Sequence, residues 1–444
     1  MRPYTAASGF NGLFRFVAFV AVAIPAAHVC RAQSATYTTL YSFKGGSDGA
    51  NPFGGVAVGE SGVLYGTTLS GGSYNVGTIF KLSPSHGLWV EAVLHTFSGG
   101  VDGDGGSDGA APGASLVFGG SGALYGTTVG GGAGGHVAGA GTVFQSAPSK
   151  TGEWAETVLY GFDDSFGSHN YAPQGAVLVG ADGTLYTTAS SGTAVAIRPP
   201  AAPGGAWTGS VIASPRGTPR AGFVSQGGVL YGTTAYGGDI GGGWAYELQP
   251  PSARGQAWTV TTIHNFGAFP PDGNEPTAPL TVGAGGAFYG TTFDGGSGTP
   301  CAYTYFSSGC GTVFELTPPP TSGGAWTEIV LYSFAGQSGD GAYPVGPVVV
   351  GENGVLYGTT LYGGDAGTCE YYGVTGCGTV FQLTPPSTPG GVWTETILHN
   401  FTGQNEDGAA PWAGLALGSN GQLYGTTVYG GSAGLGTVFV IKPN

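Results

Sequence analysis

Short apolar runs recur along the whole chain, separated by turns rich in glycine, proline and aspartate. In the clearest copy the runs are GPVVVG at 346–351, VLYGTT at 355–360, GTVFQLT at 378–384 and WTETILHNF at 393–401. Their lengths, their β-branched and aromatic residues and the turn residues that bound them are typical of β-strands. The pattern therefore predicts a unit of four strands.

A pentapeptide close to Leu-Tyr-Gly-Thr-Thr marks each unit. Its tyrosines are Tyr65, Tyr125, Tyr186, Tyr231, Tyr289, Tyr357 and Tyr424. Successive tyrosines are 60, 61, 45, 58, 68 and 67 residues apart. This spacing is too long for helical solenoid repeats and suits one blade of a β-propeller with long loops.

The copies of the fourth strand show how many complete units the chain contains. It begins at a tryptophan in six copies, namely Trp89, Trp154, Trp207, Trp258, Trp326 and Trp393. The last unit has no such run, but YTTLYSF at 37–43 precedes the first unit. We therefore predict an all-β, seven-bladed β-propeller with four strands per blade, formed by 37–444 as a single domain and closed by an N-terminal strand that completes the last blade. Two separate β domains or an open repeat array are the alternatives.

The first 32 residues predict a signal peptide. Arg2 and Arg15 precede an apolar stretch at 16–29, and Ala32 supplies a small residue for cleavage before Gln33. This stretch is too short for a comfortable membrane span. Lipid attachment at Cys30 is a weaker alternative. We expect an exported protein, secreted or periplasmic, without an integral membrane segment once the signal is removed, and a monomer.

Composition narrows the choice of partners. The chain has 91 glycines, 12% aromatic and only 8% charged residues, and a net charge of −14. Its apolar content argues against disorder in spite of the glycine. The negative charge argues against nucleic acid and anionic lipid as partners, because both repel an acidic surface.

Two loops between second and third strands contain four cysteines. The loops read CAYTYFSSGC at 301–310 and CEYYGVTGC at 369–377. One pair per loop in an exported protein predicts the disulfides Cys301–Cys310 and Cys369–Cys377, and the spacing without histidines is poor for zinc. Because aromatic rings stack on sugar rings, we predict a ligand-binding surface formed by Tyr303, Tyr305, Phe306, Tyr371 and Tyr372, with Asp365 and Glu370 as polar partners. The alternative is that the disulfides only staple the loops.

The repeated polar residues have a structural interpretation. The aspartates Asp48, Asp108, Asp272, Asp340 and Asp407 each precede a glycine, with a proline three or four residues on. Asp-Gly is a favoured turn pair, so we interpret them as turn residues, with Ca²⁺ binding or acid–base catalysis as alternatives. The repeated glutamates are assigned to the strand edge and the repeated histidines to packing. They are Glu91, Glu156, Glu328 and Glu395, each two residues after a tryptophan, and His95, His264 and His399. No nucleophile elbow, phosphate loop or metalloprotease motif is present, so no catalytic residue or cofactor is assigned.

The recurring pattern LYGTT…GG…GTVF…W-x-E…F…DG…P resembles the Gloeo/Verruco tandem-repeat family of exported bacterial proteins, from about Tyr37 to Asn444. The resemblance implies an exported repeat protein and supplies no catalytic residues. Together with the loops it favours a binding module for an extracellular or cell-wall glycan and disfavours an enzyme. A polysaccharide hydrolase or lyase and a protein-interaction scaffold are the alternatives.

Overall fold

The computed structural model describes residues 35–99, 108–132, 141–162, 172–190, 192–215, 217–253, 256–268, 270–297, 301, 309–321, 323–337, 339–371, 373–388 and 390–443. Seven four-stranded antiparallel sheets form a ring, so the predicted seven-bladed β-propeller is confirmed. The predicted signal peptide lies outside the described residues. Within the described residues, no helix has the length and apolar character needed to cross a membrane.

Each blade runs from a short inner strand to a long outer strand, and blades are numbered here in the order of their inner strands. The first strands are Ala57–Val58, Val117–Phe118, Leu178–Val179, Val224–Gln226, Thr281–Val282, Val349–Val350 and Ala416–Leu417. The second strands are Leu64–Thr68, Leu124–Thr128, Leu185–Ala189, Val229–Thr234, Phe288–Thr292, Leu356–Thr360 and Leu423–Thr427. The third strands are Thr78–Ser85, Thr142–Pro148, Thr193–Arg198, Trp244–Gln249, Thr312–Thr317, Thr379–Thr384 and Thr437–Lys442. The fourth strands are Leu88–Thr96, Trp154–Gly161, Thr208–Ala213, Thr259–Asn265, Thr327–Ser333, Thr394–Asn400 and, for blade 7, Thr36–Ser42.

The N-terminal strand completes blade 7 as predicted. Thr36–Ser42 pairs antiparallel with Thr437–Lys442, from Thr36 opposite Lys442 to Ser42 opposite Thr437. Gly436 also lies against the ring of Pro52 at the start of blade 1, the contact that the corresponding glycines of other blades make with the next proline. The ring therefore closes by pairing and by packing, which leaves no long free sheet edge at the closure.

The short elements lie between these strands. Single 3₁₀ turns at Glu60–Gly62, Gly120–Gly122, Ala284–Gly286 and Glu352–Gly354 join first and second strands. Two-stranded ladders in blades 4 to 7 pair the segment before the first strand with the segment after the second. They are Gly217–Thr218 with Tyr236–Gly237, Gly273–Asn274 with Asp294–Gly295, Gly341–Ala342 with Tyr362–Gly363, and Gly408–Ala409 with Tyr429–Gly430. These ladders place both connections on one end of the disc, which we call the loop face.

The pentapeptide recurs because each of its positions has a separate contact. In blade 6, Leu356 is fully buried, and the ring of Phe381 lies where a side chain on Gly358 would stand. Thr359 donates to the carbonyl oxygen of Ala413 in the next blade (2.9 Å), and Thr360 pairs with the hydroxyl of Thr379 (2.8 Å). Four of the five positions thus fix the core, the next blade or the neighbouring strand.

Aromatic pairs hold adjacent blades together. The phenylalanine that follows a fourth strand meets the third-strand phenylalanine of the next blade edge to face, as in Phe334 and Phe381, whose centroids are 5.1 Å apart. The pentapeptide tyrosine meets the tryptophan that begins the next blade's fourth strand, as in Tyr65 and Trp154 at 5.3 Å. Aromatic pairs with edge-to-face or tilted rings add to the gain from burial.

Blade 3 departs from the pattern and still forms four strands. Thr187 replaces the glycine of the pentapeptide, and Val195 replaces the phenylalanine opposite it. Both residues are buried. The larger side chain on one strand is therefore matched by a smaller one on its partner, which keeps the packed volume nearly constant.

Candidate functional site

The repeated aspartates close turns on the loop face. Asp340 accepts the backbone N–H of Ala335 at 2.7 Å, and Asp407 accepts that of Thr402 at 2.8 Å together with the Thr402 hydroxyl at 2.9 Å. This supports the interpretation that they are turn residues. They also have a second set of partners that the sequence did not indicate.

Each regular blade junction brings together a histidine or tyrosine, an aspartate, and a glutamate or tyrosine of the next blade. The five units are Tyr41, Asp48 and Glu91; His95, Asp108 and Glu156; His264, Asp272 and Glu328; Tyr332, Asp340 and Glu395; and His399, Asp407 and Tyr37. His95 Nε2 lies 2.8 Å from Asp108 Oδ2, and the Tyr332 hydroxyl donates to Asp340 at 3.2 Å. The glutamates lie on the outermost strand of their sheets and in addition face the junction with the preceding blade. The histidines do pack on phenylalanines, but their Nε2 atoms also lie within hydrogen-bond distance of the junction aspartates.

Burial changes how these carboxyl groups titrate. It raises the pKa of Glu91, Glu156 and Glu328 to about 7 and that of Glu395 to about 8, with the neighbouring aspartate adding to the effect. One oxygen of each glutamate is inaccessible and has no hydrogen-bond partner among the described residues. Burial also opposes ionisation of Asp108, but bonds from His95 and Ser98 outweigh it and lower its pKa. At the junction of His95, Asp108 and Glu156, the aspartate and the glutamate thus differ in their tendency to ionise.

Two junctions have a donor set that suits a divalent cation. The ligand atoms of His95, Asp108 and Glu156 lie within 4.8 Å of one another, as do those of His264, Asp272 and Glu328. The junctions at Tyr41 and Tyr332, however, keep both carboxyl groups with tyrosine in place of histidine. Because the arrangement persists after loss of its nitrogen ligand, it is explained by packing between blades, and we assign no metal to it.

The residues that follow the repeated prolines are different in every blade. In blade order they are Phe53, Gly113, Gln174, Arg220, Thr277, Val345 and Trp412. Because each comes directly after the proline that leads into a first strand, the seven positions are equivalent by the repeat. At these positions the blades differ in size, charge and polarity.

A cavity of about 200 Å³ opens on the loop face beside residues of blades 4 to 7. Its polar and aromatic lining consists of Arg220, Tyr236, Glu275, Phe293, Tyr362 and Trp412. Thr277, Val345 and Leu361 complete it, and Thr277 Oγ1 is inaccessible and unbonded among the described residues. We call this cavity the mouth pocket. Of its lining, Trp412 is 38% exposed and Tyr236 42% exposed, so two rings can be reached by a ligand.

Backbone geometry brings the polar residues of the mouth pocket together. Glu275 precedes Pro276 with φ of 58°, a left-handed conformation that non-glycine residues rarely adopt. Asn51, Ala111, Tyr343 and Ala410 hold the same conformation at the equivalent positions. The Glu275 carbonyl oxygen accepts the backbone N–H of Phe293 at 2.9 Å. The repeat therefore fixes the backbone here, and only the side chain is particular to blade 5.

Tyr236, Glu275 and Arg220 form a linked polar group. The Tyr236 hydroxyl donates to Glu275 Oε2 at 3.0 Å, and the Arg220 guanidinium carbon lies 5.8 Å from the centre of the Tyr236 ring. Burial, followed by the negative charge of Asp294, raises the pKa of Glu275 to about 7, while the Tyr236 bond and Arg220 oppose the rise. Near neutral pH this carboxyl group can either donate or accept a hydrogen bond.

The disulfide loops begin at the mouth pocket. Both predicted disulfides, Cys301–Cys310 and Cys369–Cys377, are formed. Gly295 bridges to Cys310 and Gly363 to Cys377, next to the stretches that contain Phe293 and Tyr362. The bonds thus brace two strands that line the cavity. Two disulfides favour an extracellular or periplasmic location.

The predicted aromatic surface is described only in part. Tyr303, Tyr305, Phe306 and Tyr372 lie outside the described residues, and of Tyr371 the structure describes only the backbone, in the strand Glu370–Tyr371. Asp365 and Glu370 are exposed and do not line the mouth pocket. The sequence did not lead us to predict four residues of the mouth pocket, namely Arg220, Tyr236, Glu275 and Trp412. Aligning the seven copies and searching for loop-face positions that differ among them would have found these residues.

Comparison with known proteins places the chain in a family. The model of the Gloeobacter/Verrucomicrobia repeat matches residues 28–197 and 208–368. The chain therefore belongs to this repeat family, as the recurring motif indicated. No curated protein matches it.

Several solved structures are similar at low identity. A candidate 6-phosphogluconolactonase from Bacteroides uniformis is 13% identical, with 80% of this chain and 86% of that chain covered and a TM-score of 0.48. The polysaccharide lyase ulvan lyase, bound to a -[GlcA(1-4)Rha3S]- unit, is 12% identical, with 91% and 95% covered and a TM-score of 0.48. A carbohydrate-active enzyme of family AA12 from Trichoderma reesei is 11% identical, with 93% and 98% covered and a TM-score of 0.39. At these identities and scores, the similarities assign no activity to the chain.

Proposed function

We propose that the protein is an exported binding module that recognises an extracellular or cell-wall glycan in the mouth pocket. The observation that carries the proposal is the asymmetric lining of this cavity. The exposed rings of Tyr236 and Trp412 line it, and the Tyr236 hydroxyl forms a polar pair with Glu275. Sugars combine apolar ring faces with hydroxyl groups, so they suit a site with aromatic walls and a few placed polar groups.

The arrangement of the lining supports binding by a preformed site. Phe293 stacks on fully buried Tyr343 at 4.7 Å, and Trp412 packs against Phe53 at 5.1 Å. The disulfides brace the strand ends that contain Phe293 and Tyr362. A lining that is fixed before the ligand arrives loses less entropy when the ligand binds.

The disulfide-loop residues belong to the proposal as an outer part of the same surface. Asp365 and Glu370 are exposed on the loop face, and both loops continue from strands that line the mouth pocket. A glycan chain longer than one sugar would reach from the mouth pocket toward them. Under this proposal Tyr303, Tyr305, Phe306, Tyr371 and Tyr372 add affinity for longer chains and little for a single sugar.

An enzyme is the second candidate. A hydrolase or lyase needs polar residues that converge at a position specific to one or two blades, and Tyr236, Arg220 and Glu275 meet this condition in blades 4 and 5. Glu275, with a pKa of about 7, is suited to proton transfer near neutral pH. Product release is therefore measured together with binding.

The test is retention of the purified mature protein on a panel of immobilised polysaccharides, with released sugar assayed in the same wells. We compare wild type with Tyr362→Ala, with the loop variant Tyr303→Ala plus Tyr371→Ala, and with Tyr74→Ala, which removes an exposed tyrosine of blade 1. Tyr362→Ala should lose retention, the loop variant should lose it in part, and Tyr74→Ala should match wild type. Release of sugar product would show that the protein is an enzyme and would contradict the proposal of a binding module. If wild type is retained on no glycan, a protein partner becomes the better proposal.

A further inference from the structure

Arg220 is the single charged residue among the seven that follow the repeated prolines. Its counterparts are aromatic, aliphatic, amide, hydroxyl or glycine residues. The whole chain has 11 lysines and arginines against 25 aspartates and glutamates. A cation at this position, in a chain so short of cations, is not a product of the repeat.

The fold makes little use of Arg220. Its side chain is exposed, and among the described residues no carboxylate lies within 4.0 Å of it. It lies over the face of the Tyr236 ring, which holds the guanidinium at the cavity, and its charge acts on the Glu275 carboxyl group without a direct ion pair. The planar guanidinium can bind a carboxylate through two parallel hydrogen bonds.

Glu275 sits across the same ring from this cation. Tyr236 contacts both residues, with its hydroxyl on the Glu275 carboxyl group and its face toward Arg220. The charged groups that act on Glu275 are Asp294, which is buried, and Arg220. A neutral Glu275 could donate its proton to an incoming anion, whereas an ionised Glu275 would repel it.

We propose that the mouth pocket binds one acidic sugar residue of a glycan, whose carboxylate pairs with Arg220 while its ring lies against Trp412 or Tyr236. The attraction at Arg220 is local and acts against the net negative charge of the chain, which disfavours polyanions held by charge alone. The inference rests on the proposed glycan-binding function and adds the chemical class of the sugar. A neutral sugar would leave the Arg220 guanidinium without a directly paired anion in the complex, with Glu275 acting on it only at longer range. A uronic acid residue supplies both the apolar ring face and the carboxylate that the lining can accept.

The experiment compares uronic acid oligomers with the same oligomers after their carboxyl groups have been reduced to alcohols. Titration calorimetry is run on wild type, Arg220→Gln and, as a matched control, Arg198→Gln, which removes an exposed arginine of blade 3. Wild type should bind the acidic oligomer at least about tenfold more tightly than its reduced form, which corresponds to one charge-assisted pair. Arg220→Gln should lose this preference, and Arg198→Gln should keep it.

The pH dependence supplies an independent readout. Wild-type affinity for the acidic oligomer should rise as the pH falls from 8 to 6, because Glu275 becomes neutral over this range. Glu275→Gln should bind with an affinity that is nearly independent of pH. Affinity for the reduced oligomer should be flat in both proteins.

The outcomes separate the inference from the proposed function. Equal binding of acidic and reduced oligomers, or a preference that survives in Arg220→Gln, overturns the acidic-sugar inference and leaves glycan binding intact. A preference for sulfated oligomers over uronates overturns the carboxylate assignment. Failure of every glycan to bind contradicts both proposals.

Discussion

The blade junctions and the mouth pocket use the repeat in opposite ways. At the junctions the same set of side chains returns in five places, from Tyr41 to Asp407, and each set links two blades. At the mouth pocket the left-handed backbone before the proline returns in five blades, but the side chains after the prolines differ. Repeated residues therefore build the ring, and residues unique to one blade build the site.

Blade 3 shows how far the repeated set can be reduced. Ala213 stands where other blades have histidine or tyrosine, and Val260 of blade 4 stands in place of the glutamate. The sheet of blade 3 nevertheless has four paired strands. The polar junction therefore stabilises the ring without being required for every blade, whereas the apolar core persists in all of them.

The largest effect should come from the glycine and phenylalanine pair of the pentapeptide. A side chain on Gly358 would collide with the Phe381 ring, so Gly358→Thr should destabilise the fold by about 3 kcal/mol. Phe381→Val should cost about 2 kcal/mol through the cavity it leaves. The double variant copies Thr187 and Val195 of blade 3, so it should be more stable than the sum of the two costs implies. Urea unfolding followed by tryptophan fluorescence measures this, and simple additivity would refute the compensation.

A smaller loss should follow removal of a junction aspartate. Asp407→Ala leaves the N–H groups of Thr402 and Gly408 and the ring of His399 without their acceptor, which should cost about 2 kcal/mol. Asp365→Ala, on the same face but exposed, should change stability by less than about 0.5 kcal/mol. Equal effects in the same unfolding assay would show that the repeated aspartates have no special role in the fold.

The smallest effect is a pH dependence of stability. The pKa values of Glu91, Glu156, Glu328 and Glu395 are raised in the folded state, so these groups favour folding most below their unfolded pKa of about 4.5. That contribution is lost as the pH rises through 7 to 8, because ionisation then occurs in the buried junctions. The unfolding temperature should fall by a few degrees from pH 5 to pH 8.

Glu395→Gln should flatten part of this dependence, since glutamine stays neutral throughout. Differential scanning calorimetry at matched ionic strength measures both proteins. An unfolding temperature that rises steadily over the same range would mean that the junction glutamates are ionised and well paired in the folded protein.

The sequence predicted most of the fold for a physical reason. The contacts that make a blade are local or join equivalent positions of neighbours, so the pentapeptide and the split fourth strand were enough to predict seven blades and their closure. Cys301–Cys310 and Cys369–Cys377 could be paired because each pair lies in one loop. The mouth pocket could not be predicted in this way, because Arg220 and Trp412 are far apart in the sequence and meet only through the ring. The raised pKa of Glu275 depends equally on burial that no local pattern shows.

The most direct test removes one tryptophan side chain from the mouth pocket and, in a second variant, one from a blade junction. Trp412 lines the mouth pocket and is particular to blade 7, whereas Trp393 is a repeated junction residue whose ring centroid lies 6.5 Å from that of Tyr289. Affinity for the retained glycan and the unfolding temperature are measured for Trp412→Ala and Trp393→Ala. We expect Trp412→Ala to lose binding with an almost unchanged unfolding temperature. We expect Trp393→Ala to unfold at a lower temperature but to bind normally when folded. Normal binding by Trp412→Ala, or lost binding by folded Trp393→Ala, would contradict these expectations.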